Sequence, residues 1–236
     1  MSDEEMLGLD RPIGDDHYRA YVGPASEYDL VSAMTFGLLT ACGLRQQHRV
    51  LDVGCGSLRL GRLLLPYLNP GNYFGLEPNK WLVDDGVRHE VGPSFMQSRR
   101  PTLLFDTSLA GLDADVTFDY VVAQSIFSHT APDLLNTWFE EIAERLTPGG
   151  LLLATFIEGD RACQGSGWIY PECVEYPLEI VREAATTHQL LLQPLDWYHP
   201  RQTWCALYRV GAEVEVLNGG APSWNHLGRT LEMASR

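Results

Sequence analysis

Apolar positions along this chain keep two rhythms, one of helices and one of buried strands. From Glu27 to about Cys42, Leu30, Met34, Leu38 and Ala41 recur at helical spacing, and Gly43 supplies a stop. Arg49 to Val53 reads as a short buried strand. Leucines at helical spacing predict a helix from Leu58 to about Leu68, ended by Pro70-Gly71. Asn72 to Leu76 reads as a second strand, Lys80 to about Glu90 as a less regular helix, and Thr102 to Phe105 as a third strand. Phe118 to Ala123 is a fourth. Thr130 and Asp133 have capping-box spacing with Pro132 in the first turn, and Leu134, Leu135, Trp138, Ile142 and Leu146 form one apolar stripe behind them. Pro148-Gly149-Gly150 ends that helix before a fifth strand, Leu151 to Phe156. A helix from Leu178 to His188 then precedes two late strands, Leu190 to Trp197 and Thr203 to Val210, whose short linker pairs them antiparallel.

Buried strands alternating with helices predict a parallel sheet covered on both faces. Right-handed crossovers make it doubly wound. Residues 1–27 are polar and rich in Gly, Pro and Tyr and read as an arm or cap; 28–210 read as one α/β domain; the tail 211–236 has no clear pattern. Ligands of such sheets sit beyond the carboxyl ends of the strands, so chemistry belongs just after each strand.

The first strand runs into Val53-Gly54-Cys55-Gly56-Ser57. Glycines at 54 and 56 allow a tight turn and close approach of a ligand to backbone. The next strand ends in Gly75-Leu76-Glu77-Pro78, and Glu77 lies 25 positions beyond Asp52. An acid there can accept hydrogen bonds from ribose hydroxyls, as in a nucleoside-binding βαβ unit. Arg59 stands where a dinucleotide loop has its third glycine. Asp52, directly before the loop, suits an ammonium group and repels a phosphate. Both features favour an adenosyl amino acid over NAD.

On these residues the chain resembles the class I S-adenosylmethionine (SAM)-dependent methyltransferases, of the bacterial small-molecule type. Val50 to Gly56 looks like the family's first motif, Glu77 matches its ribose-binding acid, and Leu146-Thr147-Pro148-Gly149-Gly150-Leu151 is similar to the turn before its fifth strand. The resemblance spans roughly Tyr28 to Val210. It implies a Rossmann-like seven-stranded sheet of order 3-2-1-4-5-7-6 with strand 7 antiparallel, behind an N-terminal helical cap. It also implies SAM as methyl donor, with S-adenosylhomocysteine (SAH) as product. Gly54, Cys55 and Gly56 would back the methionine part, and Asp52 would act on its amino group directly or through water. Asp106 and Thr107 would read the adenine edge, a role for which Asp113 competes. Gln124 would lie near the sulfonium, Pro78 beside the ribose acid, and Arg59 would reach the SAM carboxylate or remain a surface cation.

An acceptor held in line behind the methyl needs a base only if its nucleophile carries a proton that must leave. Candidate bases follow strand ends. His129 follows the fourth strand and faces the cleft as a base or packs beside the helix start. Glu158 follows the fifth and serves as a base, as a partner for a cationic acceptor, or as a loop acid. Tyr21, Tyr28, Trp168, Tyr170 and His199 are candidate acceptor contacts, and the tyrosines of the arm either cap the methyl or cover the core. Gly165-Ser166-Gly167 gives the segment after the fifth strand room to move.

Charge narrows the partners. The net charge is −14 and the isoelectric point about 4.8, which disfavours nucleic acid and anionic membrane. No apolar run approaches the length of a membrane span, and the first residues are acidic where a signal peptide is basic, so a cytoplasmic location is expected. Five cysteines form no C-x-x-C pair, and no metal-ligand spacing is present. The expected activity is methyl transfer to a small-molecule acceptor, with a homodimer allowed. The alternatives are a SAM-binding enzyme or regulatory module that does not methylate and, against Arg59, an NAD-dependent oxidoreductase. A nucleophilic Cys55 is disfavoured by its place between two glycines.

Overall fold

In a computed structural model, residues 7–160, 165–214, 217 and 221–224 are described. Most of the tail reading therefore lies outside the described residues. The chain divides into two compact units, Met1–Gly37 with Arg45–Val116, and Leu38–Leu44 with Thr117–Arg236.

In the first unit, strand β1 (Val50–Val53) pairs in parallel with β2 (Tyr73–Leu76), and β2 with β3 (Thr102–Leu104). Every residue of β1 and β2 is buried, which is why both read as unbroken apolar runs. Helix α1 (Tyr28–Ala41) precedes β1. Helix α2 (Gly61–Tyr67) begins three residues later than its leucine spacing predicts, because Leu58 is held at φ 59° by the turn that leaves the glycine loop. Helix α3 (Lys80–Gly86) widens into a π turn over Val87–Val91. Helix α4 (Pro93–Arg99) was not foreseen: its one buried residue is Met96, so it carries no apolar stripe to read.

The second unit holds β4 (Phe118–Ala123), α5 (Pro132–Arg145), β5 (Leu146–Glu158), β6 (Glu175–Tyr176), α6 (Leu178–Thr187), β7 (Leu190–Leu195) and β8 (Thr203–Arg209). Leu135, Trp138, Phe139 and Ile142 form the buried face of α5. Strand order is β3-β2-β1-β4-β5-β8-β7, with β8 antiparallel to β5 and to β7. This is the expected Rossmann-like order once the late pair is renumbered, because the two-residue β6 adds a short parallel partner on β5.

Two local readings are corrected. Thr130 and Asp133 form no capping box: the Thr130 hydroxyl donates to the Phe127 carbonyl, and the Asp133 carboxylate accepts the Gly167 N–H at 2.9 Å. The cap position falls to Ala131. The Pro148-Gly149-Gly150 turn is a bulge inside β5, since Phe118 pairs with Leu146 and the next pair is Tyr120 with Leu151. A side chain at Gly150 would put its Cβ 2.9 Å from the Phe118 carbonyl oxygen. Among the described residues no helix is long and apolar enough to cross a membrane.

Candidate functional site

The glycine loop of the first unit is pinned from below by its neighbouring strand. Gly54 and Cys55 both donate their N–H groups to the Leu76 carbonyl, at 2.8 and 3.0 Å. Gly54 has φ 67° and Gly56 φ 53°, left-handed values that glycine adopts without strain. The Gly56 N–H turns to the end of β2 and donates to Glu77 Oε2 at 3.1 Å. The other carboxylate oxygen, Oε1, accepts from the Asn79 N–H at 2.9 Å and from Asn79 Nδ2 at 3.0 Å. The acid and the loop therefore form one hydrogen-bonded unit across adjoining strands. Burial raises the Glu77 carboxyl above its ordinary range, while the bonds from Asn79 and Gly56 favour its charged form. A carboxylate accepts about four hydrogen bonds, and these three leave capacity for a ligand hydroxyl.

Beneath the loop, Asp52 Oδ2 accepts from the Tyr73 hydroxyl at 2.9 Å. Burial pushes this carboxyl up to about 7, against the Tyr73 bond and the nearby Arg59 charge; the Glu77 charge pushes it further up. Cys55 is closed in as well, and burial lifts its thiol well above the ordinary value, which fits the low standing of a nucleophilic role.

The arm folds onto this loop. Val22 packs against Gly56, where an added Cβ would meet Val22 Cγ1 at 2.7 Å. Arg59 Nη1 donates to the Val22 carbonyl at 2.9 Å and so secures the arm. Buried Arg19 bonds to Glu90 through Nε at 2.9 Å and to Asp29 at 3.2 Å. Arg62 reaches the same two acids, and both guanidinium groups lie over the Tyr28 ring, 4.5 and 5.2 Å from its centre. Tyr28 is fully buried, with its hydroxyl at the Ser57 carbonyl and hydroxyl, and burial raises its pKa. Of its two readings, acceptor contact or core cover, its burial fits the second. Tyr18 is likewise buried, donating to Glu90 at 3.0 Å.

Tyr21 meets the half-exposed Trp81 edge-on at 5.2 Å. Pro78, Asp106, Thr107 and Asp113 are exposed, and Asp106 Oδ1 accepts the Thr107 N–H at 2.6 Å. Beside them the exposed Phe105 ring carries Lys80 Nζ 5.4 Å from its centre.

In the second unit, Gln124 follows β4 and its amide contacts Ser125 Oγ and His199 Nε2, the latter at 3.0 Å. Ser125 sits at φ 59°, costly for a residue with a side chain, and its N–H donates to Thr155 Oγ1 of β5 at 2.7 Å. Thr155 Oγ1 bonds to Gln202 Oε1 at 2.6 Å, and Gln202 Nε2 donates to Ser125 Oγ at 3.1 Å and Ser128 Oγ at 3.3 Å. His129 Nδ1 lies 2.7 Å from the Glu172 carbonyl, which can only accept, so Nδ1 carries the proton and Nε2 the lone pair. Its ring meets Tyr170 edge-on at 5.2 Å. Trp168 bridges to Thr130, and Trp168 and Tyr170 are both exposed. The Gly167 end of the glycine-rich segment is tied to Asp133 at the start of α5. Glu158 accepts from the Thr203 hydroxyl and lines an open cavity of about 440 Å³ with Asp160, Tyr176 and Leu178. Among the described residues no group of three or more His, Cys, Asp or Glu is placed to hold a metal ion.

Sequence reasoning missed Asn79, Glu90, Ser125, Thr155 and Gln202. Asn79 was within reach, an amide two residues after the ribose acid. Glu90 gives no local signal because its partners lie 71 and 28 residues away.

Comparison with known proteins agrees with this geometry. Residues 51–152 match a family model described as a methyltransferase domain. A SAM-dependent methyltransferase from Clostridium acetobutylicum superposes with a TM-score of 0.56 at 13% identity, over 78% of this chain and 92% of that one. Magnesium protoporphyrin IX methyltransferase from Synechocystis, solved with SAH, gives 0.59 at 13% identity over 78% and 84%. An amino pentose methyltransferase from Micromonospora echinaspora, solved with SAM, gives 0.56 at 17% identity over 80% and 94%. At these identities the likeness establishes the fold.

Proposed function

We propose that this chain, whose residues 51–152 match a methyltransferase-domain model, binds SAM and transfers its methyl group to a small-molecule acceptor. The observation that carries the reading is the bond from the Gly56 N–H to Glu77 Oε2. It joins a glycine loop, which lets a ligand approach backbone, to an acid with capacity for a ribose hydroxyl. SAM supplies an electrophilic methyl on a sulfonium. Gly54, Cys55 and Gly56 back its methionine part, Glu77 takes the ribose, and Asp106 and Thr107 read the adenine edge. Asp52 acts on the ammonium directly or through a water, while its Oδ2 also accepts from the Tyr73 hydroxyl.

On the acceptor side, His129 is the base for a nucleophile that must lose a proton, since its Nε2 lone pair is fixed by the Nδ1–H bond to Glu172. Glu158 and the exposed Trp168 and Tyr170 are contacts for a cationic or aromatic acceptor. That neighbours of this fold include a magnesium protoporphyrin IX methyltransferase and an amino pentose methyltransferase supports a small molecule in this role.

The test is calorimetric titration with SAH, followed by incubation with SAM and a panel of amine, phenol and thiol acceptors while SAH is measured. Binding with SAH formation supports the reading. Binding without turnover on any acceptor favours a non-methylating SAM protein, and no binding removes the reading altogether.

A further inference from the structure

The polar chain of the second unit has a direction that backbone groups fix at its His199 end. At one end, Ser125 donates its N–H to Thr155 Oγ1, and the Thr155 hydroxyl donates to Gln202 Oε1. That orients the Gln202 amide with Nε2 toward Ser125 Oγ and Ser128 Oγ. Ser125 Oγ accepts from Gln202 and keeps its own proton available to the neighbouring Gln124 amide. At the other end, the N–H groups of Arg201 and Gln202 both point at His199 Nδ1, at 3.2 and 3.0 Å. A nitrogen that accepts from two donors holds its lone pair, so the proton of a neutral His199 lies on Nε2.

His199 thus aims a proton at the Gln124 amide nitrogen, which cannot accept it. A half-turn of the amide exchanges its oxygen and nitrogen without changing its shape, and puts Oε1 at that point. We propose that His199 is a fixed hydrogen-bond donor and not a base: with Ser125 it clamps Gln124 by its carbonyl oxygen and turns the amide NH2 the other way. His199, Ser125 and Gln202 are then positioning residues, and Gln124 is the group they aim. The left-handed Ser125 is the strained link that lets one residue offer its N–H to β5 and its hydroxyl to Gln124. His129, with the opposite tautomer, is the proton-accepting imidazole of the two. This deepens the methyl-transfer reading by dividing its two histidines into donor and base, and rests on that reading only for what the aimed amide serves.

The test reads tautomers directly, by two-bond nitrogen–proton correlation spectra of the ¹⁵N-labelled, ligand-free full chain at alkaline pH. His199→Gln and His129→Gln assign the signals by loss; should either fail to fold, side-chain correlations from assigned backbone resonances replace it. We expect His199 as the Nε2–H form and His129 as the Nδ1–H form, each in roughly tenfold excess, the weight of one hydrogen bond. Gln124→Glu, which can only accept when ionised, keeps the His199 Nε2–H form. An Nδ1–H form of His199, rapid averaging of its two forms, or a switch of form in Gln124→Glu overturns the proposal. Because no ligand is added, failure of SAH to bind leaves this result intact and sinks only the methyl-transfer reading.

Discussion

Glu77→Ala separates the two duties of the acid that joins β2 to the glycine loop. In the protein its carboxylate is 7% exposed and accepts three hydrogen bonds, all from groups that can only donate at those atoms. Removing it strands the buried Gly56 N–H, a loss of about 1–3 kcal/mol in stability. It also removes the charged acceptor for a ribose hydroxyl, a bond of about 1.5–3 kcal/mol, or at least tenfold in Kd at about 1.4 kcal/mol per decade. Glu77→Gln is not a gentle change here. Its amide nitrogen must face one of three donors, so it should lose nearly as much loop stability as Ala. The two effects are read separately, thermal unfolding giving the first and SAH calorimetry well below the unfolding temperature the second. An SAH affinity within twofold of the parent, in a variant that is fully folded, refutes the ribose role. Unchanged unfolding in Glu77→Ala would refute the claim that the acid organises the loop.

Four further outcomes follow from the same contacts. Asp52 is held near 7 when folded and near the ordinary 3.8 when unfolded, so the folded state binds the extra proton; stability should fall as pH rises from about 4 to 7, by a few kcal/mol, and Asp52→Asn should flatten that slope in denaturant titrations. Glu90→Leu strips the acid from two guanidinium groups, one of them buried, and should cost about 3–5 kcal/mol, measured by urea unfolding. Gly56→Ala forces a side chain into left-handed backbone and onto Val22, at about 1–3 kcal/mol; Val22→Ala in the same chain should recover part of this, and strict additivity would count against the arm packing on the loop. His129→Gln should lower kcat by roughly 10²–10⁴ on an acceptor that must lose a proton, with SAH affinity unchanged, and an equal fall in affinity would assign it a binding role instead.

What was legible in the sequence is what short-range patterning encodes. The four-residue strands β1 and β2 are buried throughout and read as apolar runs, and the late pair β7–β8 announced its own antiparallel turn. The glycine loop and Glu77 were found by spacing, and they meet in space because β1 and β2 pair in register, Val53 beside Leu76. The failures have a common physical cause. Tyr28 and Arg59 each kept two readings in sequence, a ligand contact or a place in the core or on the surface, and spacing could not choose between them. The Arg19–Glu90–Arg62 cluster that pins the arm joins residues up to 71 positions apart, and no local pattern foretells it. Asp133 misled for the same reason, since its spacing fits a cap while its carboxylate is claimed by Gly167, 34 residues on.

The histidines show where composition stops and geometry begins. In sequence, His129 and His199 are alike, each an imidazole placed after a strand or before one. Their chemistry diverges through main-chain atoms that no residue type encodes: a carbonyl at Glu172 takes the Nδ1 proton of the one, and two N–H groups at 201 and 202 claim the Nδ1 lone pair of the other. Backbone direction thereby decides which ring can accept a proton and which can only offer one. A sequence that keeps both histidines but reroutes the turn at 199–202 would keep the motif and lose the division of labour. The identity of the base is therefore a property of the fold around each ring, and exchanging the two side chains' surroundings would exchange their roles.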